Sequence, residues 1–263
     1  ARATAGVALV PWRGDWLAAR AAGVAAAGTA DELGERCFSQ ALVHLAKGRD
    51  ATRAALALAW RRLETGGRLL LAGPNELGFK SAVKRLEAEL GQRAEVLSSR
   101  AHSRVAAVVR TEALGPAPPV VGELEVAVAG DRFRLASAPG VFSADGLDPA
   151  SRLLLEHLEA APGARIFDPG CGLGALALTA LRRRPGATAV LADADRRAVE
   201  AARANVATLG LGDRAAVHWW DARSEPPPLG GCDVALVNPP FHGSGVAVDL
   251  ASARAIFAAL GVV

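Results

Sequence analysis

Residues 165–181 read RIFDPGCGLGALALTAL. The run opens with a short apolar segment and closes with good helix formers, so it predicts a strand, a tight turn and a helix. Gly170, Gly172 and Gly174 permit positive φ and carry no Cβ, which lets a ligand lie on the backbone at the helix N-terminus. Cys171 is expected to fill this turn as a small side chain. The stretch from Asp168 to Gly174 therefore predicts a binding turn for a nucleoside-like cofactor.

Two further acids follow apolar strands. The strand at 189–192 ends at Asp193, which lies 19 residues after Gly174. At this spacing an acid meets a ribose hydroxyl in Rossmann-like units, although a helix N-cap role for Asp193 stays open. A third strand, at 215–220, ends at Asp221. Asp221 is a candidate for the adenine amine, with an ordinary turn aspartate as the alternative.

The glycine pattern also fits the G-x-G-x-x-A turn of dinucleotide folds, and Asp168 decides between the two cofactor classes. A carboxylate at the strand end repels a pyrophosphate but attracts the ammonium and sulfonium charges of S-adenosylmethionine. The sequence therefore favours S-adenosylmethionine over a nicotinamide or flavin cofactor.

A second motif follows a fourth apolar strand at 233–237 and reads Asn238-Pro239-Pro240-Phe241. The prolines fix φ, so the Asn238 side chain and the Pro239 carbonyl are held rigidly. Two fixed acceptors can orient an exocyclic amine or amide for methylation, and Phe241 can stack on a planar base. His242 is either a substrate contact or a solvent-facing loop residue. By itself Asn-Pro-Pro also fits a turn, and its position after a cofactor turn favours the catalytic interpretation.

The remaining sequence predicts a second α/β domain upstream. Strands and helices alternate between residues 41 and 109, and the proline-rich stretch near residues 112–121 is typical of a linker. We therefore expect domains at 1–113 and 122–263 joined by a linker at 114–121. Because the chain has no Met and ends soon after Asn-Pro-Pro-Phe, we expect both domains to be incomplete at the chain ends.

Composition excludes few classes of function. A net charge of +3 and a pI near 9.1 permit contact with a phosphate backbone without establishing it. Three scattered cysteines fit a reducing, cytoplasmic location and lack the spacing of a metal site, so no metal is expected. No apolar run is long enough for a membrane span.

With these motifs in view, the chain resembles the bacterial ribosomal RNA guanine-N(2) methyltransferases that have two tandem methyltransferase-like domains, and most of all the small-subunit enzymes of that group. The resemblance rests on the cofactor turn, on Asn238-Pro239-Pro240-Phe241-His242, and on the run PGVFSADGLD at 139–148. It covers residues 132–249, with weaker similarity upstream.

The resemblance implies two Rossmann-like (class I methyltransferase) domains, the first degenerate and the second catalytic. It implies that the second domain methylates a guanine amine of ribosomal RNA, free or in the small subunit, and that the first supports folding or holds RNA. By position, the cofactor would be held by Asp168, Gly170, Gly172, Asp193 and Asp221, with Phe142 and Ser143 near its methionine end. The guanine would lie against Asn238 to Phe241. We expect a monomer.

Two alternatives remain. A protein methyltransferase acting on a glutamine amide faces the same chemical problem and also uses Asn-Pro-Pro followed by an aromatic residue. A non-catalytic RNA-binding or assembly protein with a vestigial site is the other, and the intact Asp168, Asp193 and Asn238 count against it.

Overall fold

The structure is a computed structural model that describes residues 6–111, 115, 122–128, 130–141, 147–239 and 250–261. The chain divides into two compact units. The larger unit combines Ala1–Glu32 with Val121–Val263, and the smaller unit is Leu33–Val120. The chain therefore leaves the larger unit after its first segment and returns to it after the smaller unit is complete.

The first segment of the larger unit contains two short strands and one helix. They are β1 (Ala8–Leu9), α1 (Arg13–Ala21) and β2 (Ala26–Ala27), and β1 pairs in parallel with β2. A 3-10 helix at Asp31–Leu33 follows.

The smaller unit is a four-stranded mixed sheet with two helices. Its elements are β3 (Phe38–His44), α2 (Arg49–Arg61), β4 (Leu63–Pro74), a 3-10 helix (Asn75–Leu77), α3 (Phe79–Leu90), β5 (Glu95–Arg100) and β6 (Ser103–Val109). The strand order is β3-β4-β6-β5; β3 and β4 are parallel and the other pairs antiparallel. Leu69 and Leu71 of β4, Trp60 of α2 and Phe79 of α3 share one buried core.

The second part of the larger unit begins with a hairpin and continues with a parallel sheet. Its elements are β7 (Glu123–Val128), β8 (Asp131–Ala136), α4 (Pro149–Glu156), β9 (Arg165–Pro169), α5 (Ala175–Arg183), β10 (Thr188–Asp193), α6 (Arg196–Thr208), β11 (Ala215–Trp219), β12 (Val234–Ala235) and α7 (Ala251–Ala259). The parallel strands lie in the order β11-β10-β9-β12. The order reverses beside β9, and ligands of such sheets bind at that switch point.

Burial explains why residues 165–181 fold as a strand and a helix. Ile166, Phe167, Asp168 and Pro169 of β9 are all buried, as expected for a strand covered on both faces. Residues 176–181 of α5 are buried as well. Both elements therefore belong to the core of the larger unit, and the turn between them is held by that core.

The α/β fold class and the Rossmann-like arrangement are confirmed, but the division of the chain differs from the predicted one. We expected residues 1–113 to form one domain, whereas the structure groups Ala1–Glu32 with the larger unit. The reason is local: Arg13 N donates to Ala194 O at 2.8 Å and Arg196 N donates to Pro11 O at 2.7 Å. The expected linker at 114–121 lies outside the described residues except for Gly115.

Asn205 of α6 connects three parts of the larger unit. Its side chain is buried; Oδ1 accepts from Ala136 N at 2.8 Å, and Nδ2 donates to Ala136 O at 3.0 Å and to Leu173 O at 3.1 Å. The amide thereby joins the end of β8 to the cofactor turn. Apolar packing alone cannot replace it, because the partner backbone groups would lose their hydrogen bonds.

We predict that Asn205→Leu lowers the free energy of unfolding by about 2 to 4 kcal/mol, because buried backbone groups are left unpaired. Denaturant unfolding followed by tryptophan fluorescence measures the change. Arg203→Ala on the same helix is the matched control; Arg203 makes exposed contacts, so its loss should cost less than about 1 kcal/mol. Equal costs for the two variants would contradict the role given to Asn205.

Candidate functional site

The glycine turn between β9 and α5 is bound to the neighbouring strand β10. Gly170 N and Cys171 N both donate to Ala192 O, at 2.7 and 3.0 Å. Gly170, Gly172 and Gly174 all have positive φ, at 80°, 54° and 85°. The predicted turn is therefore present, with its glycines in the conformation that side chains rarely adopt.

The glycines of the turn face different surroundings. A Cβ built on Gly172 would meet nothing within 4 Å, so this residue borders open space. A Cβ on Gly174 would lie 3.0 Å from Leu191 Cδ2 and 3.1 Å from Leu178 Cδ1. Gly172 thus leaves room for a ligand, whereas Gly174 allows α5 to pack closely on the sheet.

Asp168 is a buried carboxylate at the end of β9. Its Oδ2 accepts a hydrogen bond from Ala177 N in the first turn of α5, at 3.1 Å. Burial raises the pKa of Asp168 to about 7, with a further contribution from the charge of Asp193, and the hydrogen bond from Ala177 N opposes the rise. A cation placed nearby would favour the ionised form of this acid.

Asp193 connects the glycine turn to the loop that follows β10. Its Oδ2 accepts from Gly172 N at 2.9 Å, and its Oδ1 accepts from Asp195 N at 2.8 Å. Burial raises the pKa of Asp193 to about 6 despite these hydrogen bonds. The N-cap of α6 is Asp195, which accepts from Arg197 N, so the alternative role of Asp193 as the helix cap is wrong.

Asp221 follows β11 and is also buried. Its carboxylate accepts hydrogen bonds from Arg223 N and Arg223 Nε, at 3.1 and 3.2 Å, and from Ser224 Oγ at 3.4 Å. Burial raises the pKa of Asp221, but the hydrogen bonds from Arg223 outweigh it and the pKa lies below its ordinary value. Asp221 therefore stays ionised at a lower pH than Asp168 and Asp193 do.

Asn238 is held by helix α4. Its Nδ2 donates to Asp148 Oδ2 at 2.8 Å and to Ser151 Oγ at 2.9 Å. Asp148 is also the N-cap of α4 and accepts from Ala150 N and Ser151 N. Because a carboxylate only accepts hydrogen bonds, the amide nitrogen of Asn238 must face it. The oxygen Oδ1 is then the atom of this side chain that can accept a hydrogen bond from a substrate.

One cavity of about 440 Å³ brings the two motifs together. Its volume lies within the range of small-molecule sites. Its lining includes residues of the glycine turn, the acid that ends β10, the acid after β11, and Asn238. Those predicted from sequence are Gly170, Cys171, Gly172, Asp193, Asp221 and Asn238. Burial raises the pKa of the Cys171 thiol well above its ordinary value, so this side chain is a neutral part of the wall.

Several predicted site residues do not line this cavity or cannot be placed. Asp168 is buried and bonded to Ala177 N, Gly174 is the N-cap of α5, and Pro239 is buried next to Asn238. Phe142, Ser143, Pro240, Phe241 and His242 lie outside the described residues. Their roles stay predictions.

The structure adds residues that the motifs did not identify. Asp148 and Ser151 position Asn238, and Ile256 of α7 and Trp12 of the first segment line the cavity. The Asp-Pro sequence at 148–149 is a helix-start signal that could have drawn attention to Asp148. No sequence motif pointed to Ile256 or Trp12 as residues of the cavity. Within the described residues, no group of three or more metal-ligating side chains is present, and no helix has the length and apolarity to cross a membrane.

Comparison with known proteins identifies the part of the chain that builds this cavity. Residues 132–261 match the family model of the methyltransferase small domain. This part of the chain is similar to the methyltransferase small domain. The match covers the glycine turn, the acids after β10 and β11, and Asn238, and it leaves the first segment and the smaller unit outside.

Relatives extend the similarity beyond the methyltransferase domain. The chain is 35% identical over 217 residues to the ribosomal RNA small subunit methyltransferase C of Pseudomonas entomophila, covering 82% of this chain and 63% of that protein. It is 37% identical over 209 residues to the enzyme of the same name from Stutzerimonas stutzeri, covering 78% and 60%. The chain thus spans about three fifths of the length of these relatives.

A solved structure shares the fold of the whole chain. It is the 16S rRNA N2 G1207 methyltransferase (RsmC) of T. thermophilus in complex with AdoMet and guanosine. The TM-score is 0.84 at 29% identity, covering 97% of this chain and 69% of that one. The resemblance to the tandem-domain ribosomal RNA guanine-N(2) methyltransferases is therefore confirmed.

We predict that the Gly172→Ala and Gly174→Ala variants differ in stability. Both force a side chain into positive φ, which costs about 1 to 2 kcal/mol. Gly174→Ala should cost more, because its Cβ must also displace Leu191 and Leu178. Denaturant midpoints compare the two variants, and a larger loss for Gly172→Ala would show that the open space beside it is misassigned.

Proposed function

We propose that this chain is part of an S-adenosylmethionine-dependent methyltransferase that modifies the exocyclic amine of a guanine in small-subunit ribosomal RNA. The observation that carries the proposal is the orientation of Asn238. Its amide nitrogen is bound by Asp148 and Ser151, which leaves its oxygen as an acceptor at the cavity that also contains the glycine turn. The names of the relatives and of the solved structure support this substrate.

The residues around the turn fit S-adenosylmethionine. Gly172 borders open space where a side chain would otherwise stand, and Asp168 and Asp193 are acids whose ionised forms a cation would stabilise. Asp221, already ionised, suits the amine of an adenine ring. When bound, this cofactor supplies an electrophilic methyl group on a positively charged sulfur.

Asn238 and Pro239 would act on the substrate amine. The lone pair of an exocyclic guanine nitrogen is delocalised into the ring, so the nitrogen is a poor nucleophile. Hydrogen bonds from its two N–H groups to Asn238 Oδ1 and the Pro239 carbonyl would turn the lone pair out of the ring plane and stabilise the charge that develops on the nitrogen. The proton leaves only after the nitrogen has become cationic, so no separate base is needed beforehand.

The remaining predicted residues complete the proposed site. Phe241 would stack on the guanine and His242 would contact the substrate, Pro240 would keep the motif rigid, and Phe142 and Ser143 would lie near the methionine end of the cofactor. The smaller unit would bind RNA or support the fold. The substrate, free ribosomal RNA or the small subunit, would be met in the cytoplasm.

A transfer assay with the whole natural protein tests the proposed function. The protein is incubated with methyl-labelled S-adenosylmethionine and one of three acceptors: naked small-subunit ribosomal RNA, intact small subunits, or a translation release factor. Label recovered as N2-methylguanine in either RNA sample supports the proposal. Label in a glutamine of the release factor, or in none of the three, would contradict it.

We predict that Asn238→Ala lowers turnover at least about a hundredfold, because it removes one preorganised transition-state partner. The affinity for S-adenosylmethionine, the methyl donor, should stay nearly unchanged. Single-turnover transfer and calorimetry with the donor measure the two quantities. Ser151→Ala, which removes one of the two groups that position Asn238, should lower turnover by a smaller factor. Arg152→Ala on the same helix is the control, because Arg152 binds Ala127 O instead. Loss of donor affinity in Asn238→Ala would contradict this division of roles.

We also predict that donor binding releases protons near neutral pH. The pKa values of Asp168 and Asp193 are about 7 and about 6, above the ordinary value for aspartate. The folded protein without ligand therefore loses stability as pH rises from about 4 through these values, and a bound cation reverses the penalty. Donor affinity should rise between about pH 5.5 and 7.5.

Calorimetry in buffers of different ionisation enthalpy counts these protons. Release should be greatest near pH 6.5 and vanish by pH 9, where both acids are already ionised. In Asp168→Asn the released fraction should fall. Affinity that is independent of pH across this range would show that the cation does not bind beside these acids.

A further inference from the structure

The first segment of the chain lies outside the methyltransferase domain match but is built into the same unit. Trp12 forms an isolated antiparallel bridge with Asp195, flanked by the hydrogen bonds Arg13 N to Ala194 O and Arg196 N to Pro11 O. These contacts fix residues 11–13 to the loop directly after Asp193. The segment therefore has a defined backbone position at the rim of the cavity.

Side chains of α1 hold the segment on the other side, after β11. Arg13 donates to Glu225 Oε2 and Oε1 at 2.9 and 2.7 Å in a partly buried pair. The Arg13 guanidinium also lies 5.0 Å from the ring centroids of both Trp16 and Trp219. A bidentate ion pair combined with cation–π contacts is among the stronger polar arrangements at a partly exposed site.

Gly14 lies directly against Asp221. A Cβ built on Gly14 would overlap Asp221 Oδ2, so any larger residue here would displace the Asp221 carboxylate or α1. Glycine in the first turn of a helix is otherwise unfavourable. The close approach explains its presence and places the start of α1 beside the acid assigned to the adenine.

Trp12 stands between these two anchors and lines the cavity. Its side chain is 47% exposed, although its backbone is fixed on both sides. The acids assigned to the ribose and the adenine, Asp193 and Asp221, line the same cavity. An indole held in this position offers a flat apolar surface to a purine.

We propose that Trp12 is a further cofactor-binding residue, an aromatic wall for the adenosine half of the ligand that is contributed by the first segment. The inference rests on the proposed function, since it takes the cavity as the site of S-adenosylmethionine. Trp12 covers the nucleoside, and Arg13 and Gly14 position it through Glu225 and Asp221. The cofactor site thus includes residues more than 100 positions before the methyltransferase domain.

Binding measurements with the intact protein and its Trp12 variants test this proposal. Calorimetry compares S-adenosylmethionine with 5′-methylthioadenosine, which keeps the adenosine half and lacks the amino acid. Trp12→Ala should weaken both ligands by about tenfold or more, the effect expected for loss of aromatic stacking on a base. Trp12→Phe should retain most of the natural protein's affinity for both ligands. Leu9→Ala, an exposed apolar residue of the same segment that does not line the cavity, should bind like the natural protein.

The possible outcomes separate this inference from the proposed function. Unchanged affinity of Trp12→Ala for 5′-methylthioadenosine, with the natural protein binding normally, would overturn the role of Trp12 alone. An affinity of Trp12→Phe as low as that of Trp12→Ala would also overturn it, because an aromatic wall tolerates the exchange of Trp for Phe. A natural protein that binds neither ligand would overturn the proposed function and this inference together.

Discussion

The hydrogen bond from Gly172 N to Asp193 Oδ2 is the interaction on which the rest of the site depends. It ties the turn after β9 to the end of β10, so the glycine backbone and the second acid keep one fixed relation. This hydrogen bond places the partly buried carboxylate of Asp193 close to a second buried acid, Asp168. The pKa values of both acids are raised. Two acids with raised pKa values favour the binding of a cation. Without a ligand, they lower the stability of the folded protein. Function and stability therefore oppose each other at one point of the fold.

The second motif depends on the same principle, with polar groups held in one orientation before any substrate arrives. Asn238 follows β12 by three residues, and β12 is only Val234–Ala235, which pairs with Ile166 and Phe167 of β9. So short a strand cannot fix a side chain alone. Asp148 and Ser151 supply the missing constraint from α4, some ninety residues earlier in the sequence. The Asn-Pro-Pro motif that follows β12 is thus completed by the N-cap and first turn of α4.

The sequence was sufficient to predict the parts of the fold that are locally determined. The strand, turn and helix at 165–181, the acids ending β10 and β11, and the alternation in the smaller unit were predicted because apolar periodicity and glycine chemistry act over a few residues. It did not predict β5, whose residues are largely exposed, or the hairpin of β7 and β8, although the strands of that hairpin alternate exposed and buried residues. The grouping of Ala1–Glu32 could not be predicted either, since it depends on pairings such as Arg13 with Glu225, 212 residues apart. The partners of Asn238 were missed for the same reason.

The interrupted path of the larger unit has a consequence for synthesis of the protein. Trp12 and Trp16 find their partners, Asp195 and Trp219, only after about 200 further residues have been made, with all of the smaller unit between them. At roughly 5 to 20 residues per second, that leaves two tryptophans and the start of α1 without their native packing for about 10 to 40 seconds. During this interval the smaller unit can fold on its own, because its residues are contiguous. The larger unit must then close around a segment that left the ribosome earlier, so its assembly resembles the docking of a peptide onto a nearly finished sheet.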